Sequence, residues 1–131
     1  MLFRSAEQSF VLFDMPFGTY SDKKTALKNA TRAYQETGAD AIKLEGGAEK
    51  AKIVRYLTDN AIAVFGHIGL KPQSVRAEGG YSIKGKSEEE KQEIITNALA
   101  IQAAGAVAII IEGVKPDVAK AVTEQIGRAH V

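Results

Sequence analysis

Four short apolar runs, each finishing in ionisable residues, restrict what this chain can fold into more than any other feature. The runs are Phe10–Phe13, Ala41–Leu44, Ala61–Phe65 and Ala106–Ile111. They are rich in Val, Ile and Phe, as buried parallel strands are. Helix-like segments separate them. Lys23–Thr37 places Ala26, Leu27, Ala30, Ala33 and Tyr34 on one face, and Gly38 follows as a stop. Lys50–Asn60 carries Ile53, Val54 and Leu57 on its inner stripe. Ser87–Ala104 opens with Ser87 and Glu90 in capping-box spacing, continues with Ile94, Ile95, Ala98 and Ile101, and meets Gly105. The last helix starts near Pro116 and buries Val118, Ala119 and Val122. The order βαβαβαβα predicts parallel strands with right-handed crossovers, in a doubly wound sheet or in part of a (β/α)8 barrel. Gly66–Lys86 is the longest irregular stretch, and a loop of that length is expected to serve function.

Composition narrows the function classes. A net charge of +1 over 131 residues offers no global field for nucleic acid or an anionic membrane. The absence of cysteine excludes disulfides, thiolate metal sites and cysteine nucleophiles, and fits a reducing compartment. No apolar run approaches the ~20 residues of a membrane-spanning helix. These features predict a protein of the cytoplasm without nucleic-acid or membrane partners.

The strand ends carry the chemistry. Asp14 follows Phe13, Lys43 and Glu45 flank Leu44, His67 follows Gly66, and Glu112 follows Ile111. Residues two apart on a strand share a face, so Lys43 and Glu45 do. In parallel α/β folds the carboxyl ends of the strands surround the site, so Asp14, Lys43, Glu45, His67 and Glu112 are expected on one rim. Three carboxylates, an ammonium and an imidazole there suit metal-assisted acid–base chemistry. Each has a plainer reading. Asp14 before Met15-Pro16 can cap a turn, Lys43 can pair structurally with Glu45, His67 can be a satisfied interior histidine, and Glu112 can reach solvent. All five at equivalent positions would need separate explanations. Gly46-Gly47 permits close approach of a ligand or a tight turn, and Gly79-Gly80-Tyr81 a lid or a plain loop. Lys84 and Lys86 could meet an anionic tail or simply be solvated, and Tyr34 and the phenylalanines read as core.

These residues sit in segments that resemble a known family. Asp14-Met15-Pro16-Phe17-Gly18-Thr19-Tyr20, Ala41-Ile42-Lys43-Leu44-Glu45-Gly46-Gly47, Gly66-His67-Ile68-Gly69-Leu70-Lys71-Pro72-Gln73-Ser74-Val75 and Gly79-Gly80-Tyr81 with Gly85-Lys86 are similar to consecutive motifs of ketopantoate hydroxymethyltransferases. Ile110-Ile111-Glu112-Gly113-Val114 resembles a fifth, with Gly113 in place of the usual cysteine. Order and spacing agree from about Phe10 to Gln125. The resemblance implies a (β/α)8 barrel, Mg2+, a 2-oxo acid and 5,10-methylenetetrahydrofolate as one-carbon donor. It implies that Asp14 and Glu45 serve the metal, that Asp14, Lys43 and His67 hold the oxo acid, and that Glu112 is the general base. It also implies a homo-oligomer when the protein is full length.

A whole barrel takes ~250 residues, so residues 6–125 are expected to form four βα units of one. The family's upstream aspartate and serine, and its last two strands, fall outside such a stretch. Residues 1–5 and 126–131 resemble adapter-derived sequence, which would leave His130 without function. The chain alone is then expected to have negligible turnover. Two other functions compete: an enzyme like phosphoenolpyruvate mutase and isocitrate lyase, whose lyase members use a cysteine-bearing loop, and a non-catalytic half-barrel that self-associates through its edges.

Overall fold

The structure, a computed structural model, describes residues 9–127. The end segments 1–5 and 128–131, with His130, lie outside the described residues. Four parallel strands, β1 (Leu12–Asp14), β2 (Ala41–Glu45), β3 (Val64–Gly69) and β4 (Ala108–Glu112), form one sheet in the order β1-β2-β3-β4. Between and after them come α1 (Lys23–Thr37), α2 (Ala51–Asp59), the single turn α3 (Val75–Glu78), α4 (Glu88–Ala103) and α5 (Pro116–Ile126). Local chemistry sets the helix ends. Asp22 Oδ1 accepts from the Thr25 N–H at 2.9 Å and Ser87 Oγ from the Glu90 N–H at 3.1 Å, each satisfying a donor that the first turn leaves free. Glu90 reaches back to the Lys86 N–H at 2.7 Å. Gly38, at φ 68°, closes α1 with an N–H to Tyr34 O.

Register separates the two faces of the sheet. Leu12 pairs with Ala41, Lys43 with Phe65 and Phe65 with Ala108, so these residues share one face. The opposite face presents Ile42, Leu44, Val64, Ile68 and Ile109 to helix residues Ala26, Ala30, Ile53, Val54, Leu57, Ile101, Val118 and Val122 in one buried cluster. Leu12, Phe65 and Ile110 lie outside that cluster and are only partly buried. A doubly wound sheet would cross its own strand order and carry helices on both faces. Sequential strands with helices packed on one face are instead the winding of a (β/α)8 barrel, of which this is a part.

Several expected boundaries move. The third strand is expected over Ala61–Phe65 but spans Val64–Gly69, because Ala61 takes a left-handed turn at φ 64° and pairing continues through the polar residues at the mouth. The first strand shifts similarly, to end on Asp14. Gly66–Lys86 is not wholly irregular. It finishes β3 and then holds a 3-10 turn (Pro72–Ser74) and α3. Not every phenylalanine is core either: Phe10 and Phe17 are exposed, and Phe10 stacks on Phe65 at 5.5 Å across the uncovered face.

Candidate functional site

Because the strands are parallel and in register, their carboxyl ends lie at one rim. Asp14 pairs with Lys43, Glu45 with His67 and Gly69 with Glu112. Alternation then points Asp14, Lys43, Glu45, His67 and Glu112 to the same face, the one without helices among the described residues. All five residues named from the sequence therefore come together.

Their contacts are specific. Lys43 Nζ lies 2.8 Å from Asp14 Oδ2 on the neighbouring strand, so its partner is Asp14 rather than Glu45. His67 is fully buried, with Nδ1 3.8 Å from Glu45 Oε1 and Nε2 3.1 Å from Glu112 Oε2. These distances let charges interact, yet neither ring nitrogen has a hydrogen-bond partner of acceptable geometry. Burial, with Lys43 nearby, holds the His67 pKa below the ordinary imidazole value against the opposing pull of Glu112 and Asp14. The ring is thus favoured neutral. Glu45 is 5% exposed, and burial pushes its carboxyl pKa up. The Gln73 N–H and Lys43 act the other way, while Asp14 and Glu112 add like-charge repulsion. Asp14 and Glu112 are half-exposed and face solvent from the rim.

Two residues escaped the sequence reading. Tyr20 is buried, and its hydroxyl accepts from the Glu45 N–H at 3.3 Å while donating to Gln73 Oε1. Gln73, in the 3-10 turn after β3, donates its backbone N–H to Glu45 Oε2 at 3.0 Å and its Nε2 to Met15 O at 2.9 Å. Both stand in segments already quoted, but no local pattern announces a bond between residues 53 apart. Pro72, which sets a turn directly behind the strand and leaves Gln73 at the rim, is the signal that was there to use.

The glycine readings also resolve. A Cβ on Gly47 would lie 2.2 Å from Asn97 Cγ, and Asn97 Oδ1 accepts from the Ala48 N–H at 2.9 Å, so the pair makes a tight turn packed on α4. Gly69, at φ 88°, brings β3 against β4: a Cβ there would lie 2.3 Å from Glu112 O. Lys84 bonds to Glu78 at 2.7 Å.

For a divalent metal, the chemistry of the donor set decides the fit. No group of three or more His, Asp or Glu among the described residues is placed to hold an ion. Asp14 and Glu45 offer hard oxygen on adjacent strands, close enough for the Asp14 charge to act on Glu45. Two carboxylates suit an ion such as Mg2+, which keeps several waters and takes further oxygens from substrate.

The signature of the ketopantoate hydroxymethyltransferase family matches residues 1–129. Curated proteins named 3-methyl-2-oxobutanoate hydroxymethyltransferase are similar. The Aliarcobacter butzleri protein is 53% identical over 121 residues, 92% of this chain and 45% of its own length. That of Wolinella succinogenes is 54% identical over 123 residues, 94% and 47% respectively. One from Helicobacter pylori is 54% identical over 121 residues, 92% and 45%. The chain spans about half the length of these relatives. With the family signature over nearly all of its residues and a one-faced parallel sheet to carry it, this chain belongs to the ketopantoate hydroxymethyltransferase family.

Proposed function

We propose that this chain supplies the oxo-acid-binding and proton-abstracting part of an active site that transfers a hydroxymethyl group to 3-methyl-2-oxobutanoate, giving 2-dehydropantoate on the way to pantothenate. The observation that supports it best is the buried His67 standing between Glu45 and Glu112 on a rim shared with the Lys43–Asp14 pair.

The substrate carbon to be joined lies next to a ketone, so its C–H is a weak acid. Glu112, half-exposed at the rim, is the base: its carboxylate takes that proton directly or through one water. Lys43 holds the substrate carboxylate by charge, and its pairing with Asp14 keeps the ammonium at the mouth. His67, favoured neutral, orients the oxo acid by donating the single N–H of its ring to a substrate oxygen. Asp14 and Glu45 would hold Mg2+. When bound, that ion draws charge onto the ketone oxygen and makes the neighbouring proton easier to remove. The one-carbon unit comes from 5,10-methylenetetrahydrofolate, and juxtaposing two bound reactants lowers the entropic part of the barrel's task. The same reading takes the whole protein as a cytoplasmic homo-oligomer with small-molecule partners. It is supported by family membership, and no described helix is long and apolar enough to cross a membrane.

With β1 and β4 as the sheet edges and one face uncovered among the described residues, folate-dependent turnover by the 131-residue chain alone should be negligible. The partial reaction is the better test. Proton NMR in D2O with Mg2+ should show exchange of the C3 hydrogen of 3-methyl-2-oxobutanoate above the Mg2+-buffer rate, and Glu112→Gln should remove the excess. Exchange at the buffer rate, or equal exchange by Glu112→Gln, refutes the assignment.

A further inference from the structure

Glu45 is held by a closed ring of hydrogen bonds that the roles above do not use. Its backbone N–H donates to Tyr20 Oη at 3.3 Å. The Tyr20 hydroxyl has one proton, and that proton goes to Gln73 Oε1. The Gln73 N–H donates back to Glu45 Oε2 at 3.0 Å. With its oxygen committed to Tyr20, the Gln73 amide presents Nε2 to Met15 O at 2.9 Å, next to Asp14. Every donor in the ring has one acceptor, so the direction of each bond follows from its neighbours. Three strand ends are joined: β1 through Met15, β2 through Glu45 and β3 through the turn that carries Gln73.

The ring also makes the two oxygens of Glu45 unequal. Oε2 is occupied by a backbone donor, and Oε1 is the oxygen that faces His67 at 3.8 Å. A carboxylate with one oxygen tied cannot rotate to exchange them without breaking the ring. The same side chains wall a cavity of about 210 Å3 beside the site, lined by Phe17, Tyr20, Glu45, Lys71, Gln73 and others.

We infer that Gln73 is a positioning residue: through Tyr20 and Met15 it clamps the three strand ends and presents Glu45 Oε1 to the site. The functional half of this inference rests on the reading of Glu45 as an active-site group. The clamp itself does not.

Two variants separate clamping from packing. Gln73→Met keeps most of the volume and loses both side-chain hydrogen bonds, whereas Gln73→Ala loses volume as well. Amide hydrogen exchange in the 131-residue chain reads residue 73 directly. In both variants the residue 73 amide should exchange at least ~10-fold faster, with the Leu44 and Ile109 amides within about twofold of wild type, because loss of the clamp is a local opening. Protection at residue 73 retained in Gln73→Met would mean packing alone holds the turn, and would overturn the inference. So would a uniform rise at Leu44 and Ile109, which marks global destabilisation. Binding of 3-methyl-2-oxobutanoate with Mg2+, measured by calorimetry, should weaken by ~10-fold in Gln73→Met. Unchanged binding with a loosened turn refutes the positioning role. Absence of binding by wild type instead sinks the functional reading, and leaves the exchange data to decide the clamp.

Discussion

Replacing His67 by leucine should make the protein no less stable while destroying the site. The reasoning is an energy balance at one residue. His67 is fully buried, and neither ring nitrogen makes a well-formed hydrogen bond. An unsatisfied buried polar group costs about 1–3 kcal/mol. Nε2 recovers part of that from Glu112 Oε2 at 3.1 Å. Leucine has no polar atoms to desolvate, but its shape differs, and such swaps cost up to about 1.5 kcal/mol. Glu112 can turn to solvent and Glu45 keeps its bond from the Gln73 N–H, so neither carboxylate is stranded. The net change is about 0–2 kcal/mol in favour of His67→Leu. In urea, where small proteins lose about 1–3 kcal/mol per molar, the midpoint should stay level or rise by up to ~2 M. Leu44→Ala, at a fully buried position, calibrates the assay with an expected loss of about 2–5 kcal/mol. Oxo-acid binding by His67→Leu should disappear. A loss of more than ~2 kcal/mol would show the imidazole to be a satisfied structural group and would refute the argument, because a residue retained at a stability cost is the mark of a working site.

Gly69→Ala should cost more than ~2 kcal/mol by chemical denaturation, since its Cβ would meet the Glu112 backbone oxygen at 2.3 Å from a left-handed conformation; a loss under ~1 kcal/mol would contradict that packing. Ser87→Ala should lower stability by about 1 kcal/mol and Ser87→Asp should leave it nearly unchanged, because either side chain but not alanine can accept from the Glu90 N–H. The Lys84 hydrogen bond is the main cause of a Glu78 pKa held below its ordinary 4.5. A folded pKa below the unfolded one gives stability that is present above 4.5 and lost as pH falls through the folded value. Lys84→Met should therefore be less stable than wild type at pH 7, and the gap should close as pH falls through the folded Glu78 pKa, below 4.5. A gap independent of pH in urea melts would rule out this pair as its source.

The rim was legible in the sequence because its groups interrupt apolar runs at equivalent places. A carboxylate after Phe13, another after Leu44 and a third after Ile111 need only strand ends to be aligned, which alternation with helices guarantees. The partner of Lys43 was not legible in the same way. Glu45 is nearer in sequence, but Asp14 stands opposite Lys43 in the β1–β2 register, and register is a property of two strands together. The third strand was misplaced because hydrophobicity marks what is buried, whereas pairing follows backbone bonds through Gly66-His67-Ile68-Gly69 regardless of polarity. Tyr20 and Gln73 were missed for a related reason. Their value lies in bonds between segments 53 residues apart, and neither segment is unusual by itself.

Polarity along the uncovered face explains how one sheet tolerates such a mouth. Near the amino ends of the strands the face carries Leu12, Ala41, Phe65 and Ala108, with Phe10 stacked on Phe65. One or two pleats further on come Asp14, Lys43, Glu45, His67 and Glu112. Burial is the largest influence on Glu45 and His67, raising the pKa of the first and lowering that of the second. Lys43 and Asp14 pair with each other, and Asp14 and Glu112 stay half in solvent. The strand ends thus carry two buried groups, Glu45 and His67, one ion pair, Lys43–Asp14, and one half-exposed carboxylate, Glu112. On the proposed reading, these are groups a weak carbon acid can use: an imidazole for orientation, a fixed cation for its carboxylate and a carboxylate base at the rim.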